Sequence, residues 1–191
     1  MILSVFRRSD HNRNIQGLYG AIVAQARSPA FYTHYGVPDS VEGRFELIVL
    51  HLVLVLSRLG ADQAAGSPRG PTLGPGSAAG QRLFDIFCRD LDDNLREMGV
   101  GDLAVPRKMR QFGEAFYGRQ AAYGAALAAA DPRELEKALA RNILGEVDAG
   151  KTAAALAHYV RAAAAQLEAQ GEEALIAGKA AFPGPETFVN A

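Results

Sequence analysis

The sequence predicts an all-α fold: a single compact domain of roughly six to seven helices with one long Gly/Pro-rich loop. Three observations carry this. Apolar residues recur at three- and four-residue spacing along almost the whole chain, as in Ile15, Leu18, Tyr19, Ile22, Val23 and Ala26. No stretch alternates apolar and polar residues as a half-buried strand would. The periodic stretches are separated by helix stop and start signals, namely Ser28-Pro29, Gly60, Gly99 and Asp131-Pro132. At 191 residues the chain has the length of one domain with a sizeable core.

The first helix is expected over about residues 12–27, closed by Ser28-Pro29 because the residue before a proline is pushed out of the helical region. An aromatic connector with Phe31, Tyr32, His34 and Tyr35 leads to Val37-Pro38. The second helix should begin near Pro38, with Asp39 and Glu42 at the positive end of its dipole, and stop at Gly60. Its apolar residues surround more than one face from Leu47 onward, which marks a central helix covered on several sides. Residues 60–80 hold six glycines and three prolines with Leu73 as the one sizeable apolar side chain, so this stretch is expected to be a flexible loop inside the domain.

A third helix, about residues 81–98, is amphipathic: Phe84, Phe87, Cys88, Leu91, Leu95 and Met98 form one stripe and Asp85, Arg89, Asp92 and Arg96 another. Gly99 caps it. A fourth extends to about residue 130 with Pro106 near its start, where proline is tolerated. Asp131-Pro132 opens the next, which ends near Gly145. An alanine-rich helix over about 149–170 and a short one near 172–180 complete the set, and residues 180–191 are expected to form a poorly ordered tail.

Bulk properties exclude several classes. A formal net charge of −1 gives no reason to expect DNA as a partner. The single cysteine, Cys88, rules out an internal disulfide and any multi-Cys zinc site. The apolar start is short and is followed by Arg7 and Arg8, the reverse of a secretory signal. The strongest apolar run, residues 47–56, is interrupted by His51 and is half the length a spanning helix needs, so a buried core helix is expected there.

The chemistry-bearing residues form no catalytic constellation. The four histidines His11, His34, His51 and His158 include no pair at the spacing that sets two ligands on one helix face. His51 has two readings: a haem, metal or proton-sensitive contact residue, or a core histidine satisfied by a hydrogen bond, which is the plainer one. His34 is expected to be exposed. Cys88 lies on an apolar stripe with Asp85 and Asp92 nearby, a poor setting for a thiolate. No GxSxG elbow or phosphate-binding GxxxxGK[ST] loop is present. Asp85, Asp92, Asp93 and Glu97 read as surface ion-pair partners. What remains is a short basic cluster, Arg107, Lys108 and Arg110, with Arg119 further along and Phe112, Phe116 and Tyr117 close by. These could meet anionic headgroups, ribosomal RNA or an acidic loop of a partner; a solvated helix face is the plainer reading.

Two stretches are more specific. The first holds Ala26-Arg27-Ser28-Pro29-Ala30-Phe31-Tyr32, Gly36-Val37-Pro38-Asp39, Gly43-Arg44-Phe45-Glu46 and Leu50-His51. The second holds Leu83-Phe84-Asp85, Leu95-Arg96-Glu97-Met98-Gly99-Val100-Gly101-Asp102-Leu103, Val105-Pro106-Arg107-Lys108-Met109 and Ala115-Phe116-Tyr117-Gly118-Arg119. Together, over about residues 19–127, they resemble the ubiquinol–cytochrome c chaperone family known from mitochondria and alphaproteobacteria.

That resemblance implies an all-helical protein without cofactor or catalytic activity that assists biogenesis of cytochrome b for the cytochrome bc1 complex. It implies cytochrome b or its nascent chain as partner, the ribosome as a place of action, and a cytoplasmic protein in peripheral contact with the inner membrane. Within the matching blocks, Arg107, Lys108, Arg110, Phe116, Tyr117 and Arg119 become the candidate partner-binding residues. A haem-handling protein using His51 or His34 is the alternative. Residues 60–80 look like an insertion.

Overall fold

The computed structural model describes residues 2–64, 78–145 and 150–189, and every regular element among them is helical. Five long helices dominate: α1 (Ile2–Ala26), α3 (Val41–Ala64), α4 (Ala78–Glu97), α5 (Val105–Ala128) and α7 (Gly150–Ala169). A seven-residue α6 (Arg133–Leu139) runs on into a π turn (Ala140–Leu144), and α2 (Pro29–Thr33) and α8 (Glu172–Ile176) are single turns.

Helix α3 is the hub, packed against α1, α5 and α7. Leu47, Val49, Leu50, Leu52, Val53, Leu54, Val55, Leu56 and Leu59 are all buried. Residues so closely spaced cannot share one helix face, so apolar surface must meet it from all sides. Helix α1 reaches across to α4 as well, and α6 bridges α5 and α7.

Local chemistry explains the boundaries. The central helix starts at Val41 rather than at Pro38, because the Ser40 hydroxyl accepts the Gly43 N–H at 3.1 Å and caps the first turn. It also continues through Gly60 to Ala64: one glycine costs about 1 kcal/mol against alanine, too little to stop a helix that good helix formers extend. Ala78 and Ala79 likewise start α4 earlier than expected. The loop assigned to 60–80 is thus shorter at both ends, and 65–77 lie outside the described residues. At the end of α4, Gly99 adopts φ +81°, its N–H bonds to Arg96 O at 2.9 Å and that of Val100 to Leu95 O at 3.0 Å, a paired C-terminal cap that only a left-handed residue allows. Asp131 accepts the Arg133 N–H at 2.9 Å and opens α6, as its sequence suggested.

The C-terminal segment departs from expectation. Residues 182–189 are no loose tail: Phe182, Phe188 and Val189 pack on the core, and a 3₁₀ turn (Pro185–Phe188) forms. The Pro183 carbonyl accepts from Gln25 Nε2 at 3.0 Å, and the Pro185 carbonyl accepts from the buried Tyr35 hydroxyl. Two phenyl rings and two bonded carbonyls outweigh the ordering entropy that an unpartnered polar tail could not offset.

Candidate partner-binding surface

The internal chemistry centres on His51, which is fully buried in α3. Its Nδ1–H donates to the Leu47 carbonyl at 2.7 Å, one turn back. Its Nε2 accepts from the Tyr159 hydroxyl of α7, also at 2.7 Å. Tyr159 in turn accepts from Gln25 Nε2 of α1 at 3.0 Å. Phe31, Phe182 and Tyr159 surround the imidazole with ring centroids 5.3–5.8 Å away. Burial pushes the His51 pKa down to about 4, against a smaller upward pull from the Leu47 carbonyl. Both ring nitrogens are engaged and no face reaches solvent, so His51 is the core histidine of the plainer reading. The haem reading loses its leading ligand, and His34 lies exposed on the connector. Cys88 is half-buried, and burial followed by the nearby Asp85 raises its thiol pKa, the opposite of what a nucleophile needs.

The carboxylates of α4 lie where a solvated face puts them, with one change of partner. Asp92 pairs with Arg96 at 2.7 Å as its spacing suggested, whereas Asp85 accepts from Gln81 at 2.8 Å. Tyr19 was expected among core residues; its hydroxyl also donates to Asp90 at 2.7 Å and ties α1 to α4.

The six candidate contact residues of α5 fall into two groups. Phe116 is 2% exposed, wedged against Phe84 and Phe87 of α4 with centroids 4.9 and 6.1 Å away. Arg119 makes a two-pronged ion pair with Glu46 of α3, the two side chains only 22% and 13% exposed. Both residues hold α5 to its neighbours and offer a partner little surface. Arg107, Arg110 and Tyr117 are exposed and Lys108 is half-exposed. The periodicity of α5 puts Arg107, Arg110 and Tyr117 on one face, with Lys108 turned about 100° from Arg107. Among the described residues, neither the Arg107 nor the Arg110 guanidinium, nor the Lys108 amine, has an ion-pair partner.

Sequence reasoning missed an apolar component of the same surface. Four large hydrophobic side chains stand exposed among the described residues, and three of them, Met98, Leu103 and Tyr117, lie between the end of α4 and the middle of α5. Leu103 is 99% exposed. The signal was present: Leu103 follows the capping Gly99 and precedes the first apolar position of α5, so it falls outside both helical stripes. A second surface feature, an open hollow of about 350 Å³, is lined by Arg27, Pro29, Tyr32, Thr33, Asp39 and Arg44. Its Arg44 is paired with Asp39 at 2.7 Å. No helix among the described residues is long and apolar enough to cross a membrane.

The architecture has a counterpart among solved structures. The Cbp3 homolog from Brucella abortus superposes with a TM-score of 0.80 at 37% sequence identity, over 97% of this chain and 98% of that one. No curated protein matches the sequence. The family model described as ubiquinol–cytochrome C chaperone matches residues 33–182, which takes in the capped start of α3, the buried His51, the α4–α5 turn and Tyr159, and ends at Phe182. The chain therefore belongs to the ubiquinol–cytochrome c chaperone family.

Proposed function

We propose that this protein is a non-enzymatic assembly chaperone that binds cytochrome b, as nascent chain or newly made protein, and assists biogenesis of the cytochrome bc1 complex. Family membership over residues 33–182 is the observation that carries the reading. The surface chemistry agrees with it: polar groups in the core are used to hold helices together, and, among the described residues, Arg107, Lys108 and Arg110, which have no ion-pair partner, lie on the same α4–α5 turn and α5 face as three of the four exposed large hydrophobics. Such a surface suits a protein that recognises another protein rather than one that transforms a small molecule. The protein acts in the cytoplasm at the inner-membrane face, where its client emerges from the ribosome and inserts.

Affinity purification from a membrane-containing native lysate, with mass spectrometry of the recovered proteins, tests this. Cytochrome b should be enriched, with ribosomal proteins if capture occurs during translation. Deletion of the gene should lower cytochrome b content and bc1 activity together; unchanged levels of both would end the proposal.

A further inference from the structure

The α4–α5 turn projects two apolar side chains, Met98 at 57% exposure and Leu103 at 99%. A leucine this exposed has essentially no protein neighbour on any side. Hydrogen bonds from Ala104 N and Val105 N to Gly101 O wind the turn directly into α5, so Leu103 stands at the leading end of that helix. Arg107 follows about 6 Å behind along the axis and Arg110 about 10 Å behind. Lys108 is about 100° round the helix from Arg107. Arg110 lies about 60° from Arg107 on the other side, so the three cations span a little under half the circumference of the shaft. From Arg96 through Arg110 there are four basic residues and two acidic ones; Arg96 is itself paired with Asp92 and Asp102, which leaves Arg107, Lys108 and Arg110 against Glu97.

We infer that this tip seats on an anionic phospholipid bilayer, Met98 and Leu103 entering the headgroup layer and Arg107, Lys108 and Arg110 meeting lipid phosphates. The inference deepens the proposed function and rests on it only in placing the protein beside a membrane client. Two features favour lipid over an acidic protein segment. A side chain exposed on all sides is matched by a fluid phase that closes around it. Cations spread over nearly half the circumference, with Lys108 about 160° round from Arg110, suit a plane of phosphates beneath a tip, whereas a peptide lying along α5 would meet only the Arg107 and Arg110 face. The axial offset between Leu103 and the cations fits the roughly 5–10 Å depth at which interfacial apolar residues lie.

Co-flotation of the full chain with vesicles tests the surface. Vesicles of phosphatidylcholine with about one third phosphatidylglycerol should carry the protein, pure phosphatidylcholine vesicles should not, and added salt should weaken the binding. Leu103→Asp should reduce partitioning about 10-fold. The triple change Arg107→Glu, Lys108→Glu, Arg110→Glu should reduce it about 100-fold. Arg82→Glu, the same kind of charge change on the exposed side of α4, should leave binding within about 2-fold. All variants should keep the wild-type circular dichroism, since every changed side chain is largely outside the core.

Failure of the wild type to float, or equal flotation of all variants, overturns the inference. If the wild type fails to float and the triple variant loses cytochrome b from the affinity purification, the surface belongs to an acidic protein segment and the lipid assignment is equally overturned. Flotation that depends on these residues, with cytochrome b absent from the purification, upholds the lipid surface and removes the chaperone reading instead.

Discussion

The Tyr159 hydroxyl of α7 donates to Nε2 of His51 in α3 across 2.7 Å, inside a cluster of aromatic rings drawn from four segments of the chain. The bond requires the neutral imidazole with its proton on Nδ1, which the Leu47 carbonyl enforces. It joins the central helix to α7, and Gln25 extends the chain of bonds to α1. Tyr159→Phe should remove a donor while leaving His51 Nε2 buried and unpaired, at a cost of about 1–3 kcal/mol. Urea unfolding should show a lower midpoint with an unchanged slope.

The same geometry gives the stability a pH dependence. Folded His51 has its pKa lowered to about 4, while the unfolded side chain titrates near the ordinary histidine value of 6.5. Above the unfolded value both states are neutral and the group contributes no slope. Between the two values the unfolded chain binds a proton that the folded chain refuses, so stability falls as pH falls through that window, by on the order of 3 kcal/mol in all. Unfolding curves at neutral pH and near pH 5 should differ by about 2 kcal/mol of this loss, and His51→Phe should have a shallower dependence than wild type over the same window. Equal slopes in the two proteins would mean that His51 does not titrate as its burial requires.

Arg119 and Arg107 lie on one helix and should behave as different kinds of residue. Arg119→Ala leaves Glu46 without its two-pronged partner in a mostly buried position and should cost about 2 kcal/mol. Arg107→Ala and Arg110→Ala touch exposed, unpaired side chains and should stay within about 0.5 kcal/mol of wild type. A double-mutant cycle on Arg119 and Glu46 should return a coupling of about 1–2 kcal/mol; a value near zero would mark the ion pair as incidental.

Gly43 is constrained by closeness rather than by its own dihedral angles. A Cβ there would come within 2.0 Å of the Pro38 carbonyl oxygen. The Gly43 N–H is already bound to Ser40, so the turn that caps α3 cannot open without losing that bond. Gly43→Ala should therefore destabilise by about 1–3 kcal/mol, although alanine is the better helix former. Thermal melting of the variant would check the sign: a raised Tm would show that helix propensity outweighs the contact.

Removal of residues 182–191 should damage the core. Phe182 and Phe188 cover the rings of His51 and Tyr159, with centroids 5.3 and 6.1 Å away. The truncated chain should lose at least about 2 kcal/mol and should bind hydrophobic dyes more strongly, because apolar surface around Tyr159 becomes accessible. A truncation that melts like wild type would restore the loose tail that composition alone suggested.

The fold class and most element positions were legible in the sequence because helices are set by short-range rules. The spacing of Ile15, Leu18 and Ile22, the near-continuous apolar run of α3, Gly99 after α4 and Asp131-Pro132 before α6 each act within a few residues. The family blocks were legible for the same reason, since they are contiguous stretches. Tertiary structure alone decided the rest. It paired Arg119 with Glu46, separated by 73 residues, and so withdrew from the candidate surface an arginine that looked like its neighbours. It buried Phe116 against α4 and folded Phe182 back onto His51. It left Leu103 bare at the head of α5. Whether a charge is free, a ring covered or a terminus ordered depends on which distant elements arrive beside it, and local periodicity holds no record of that arrival.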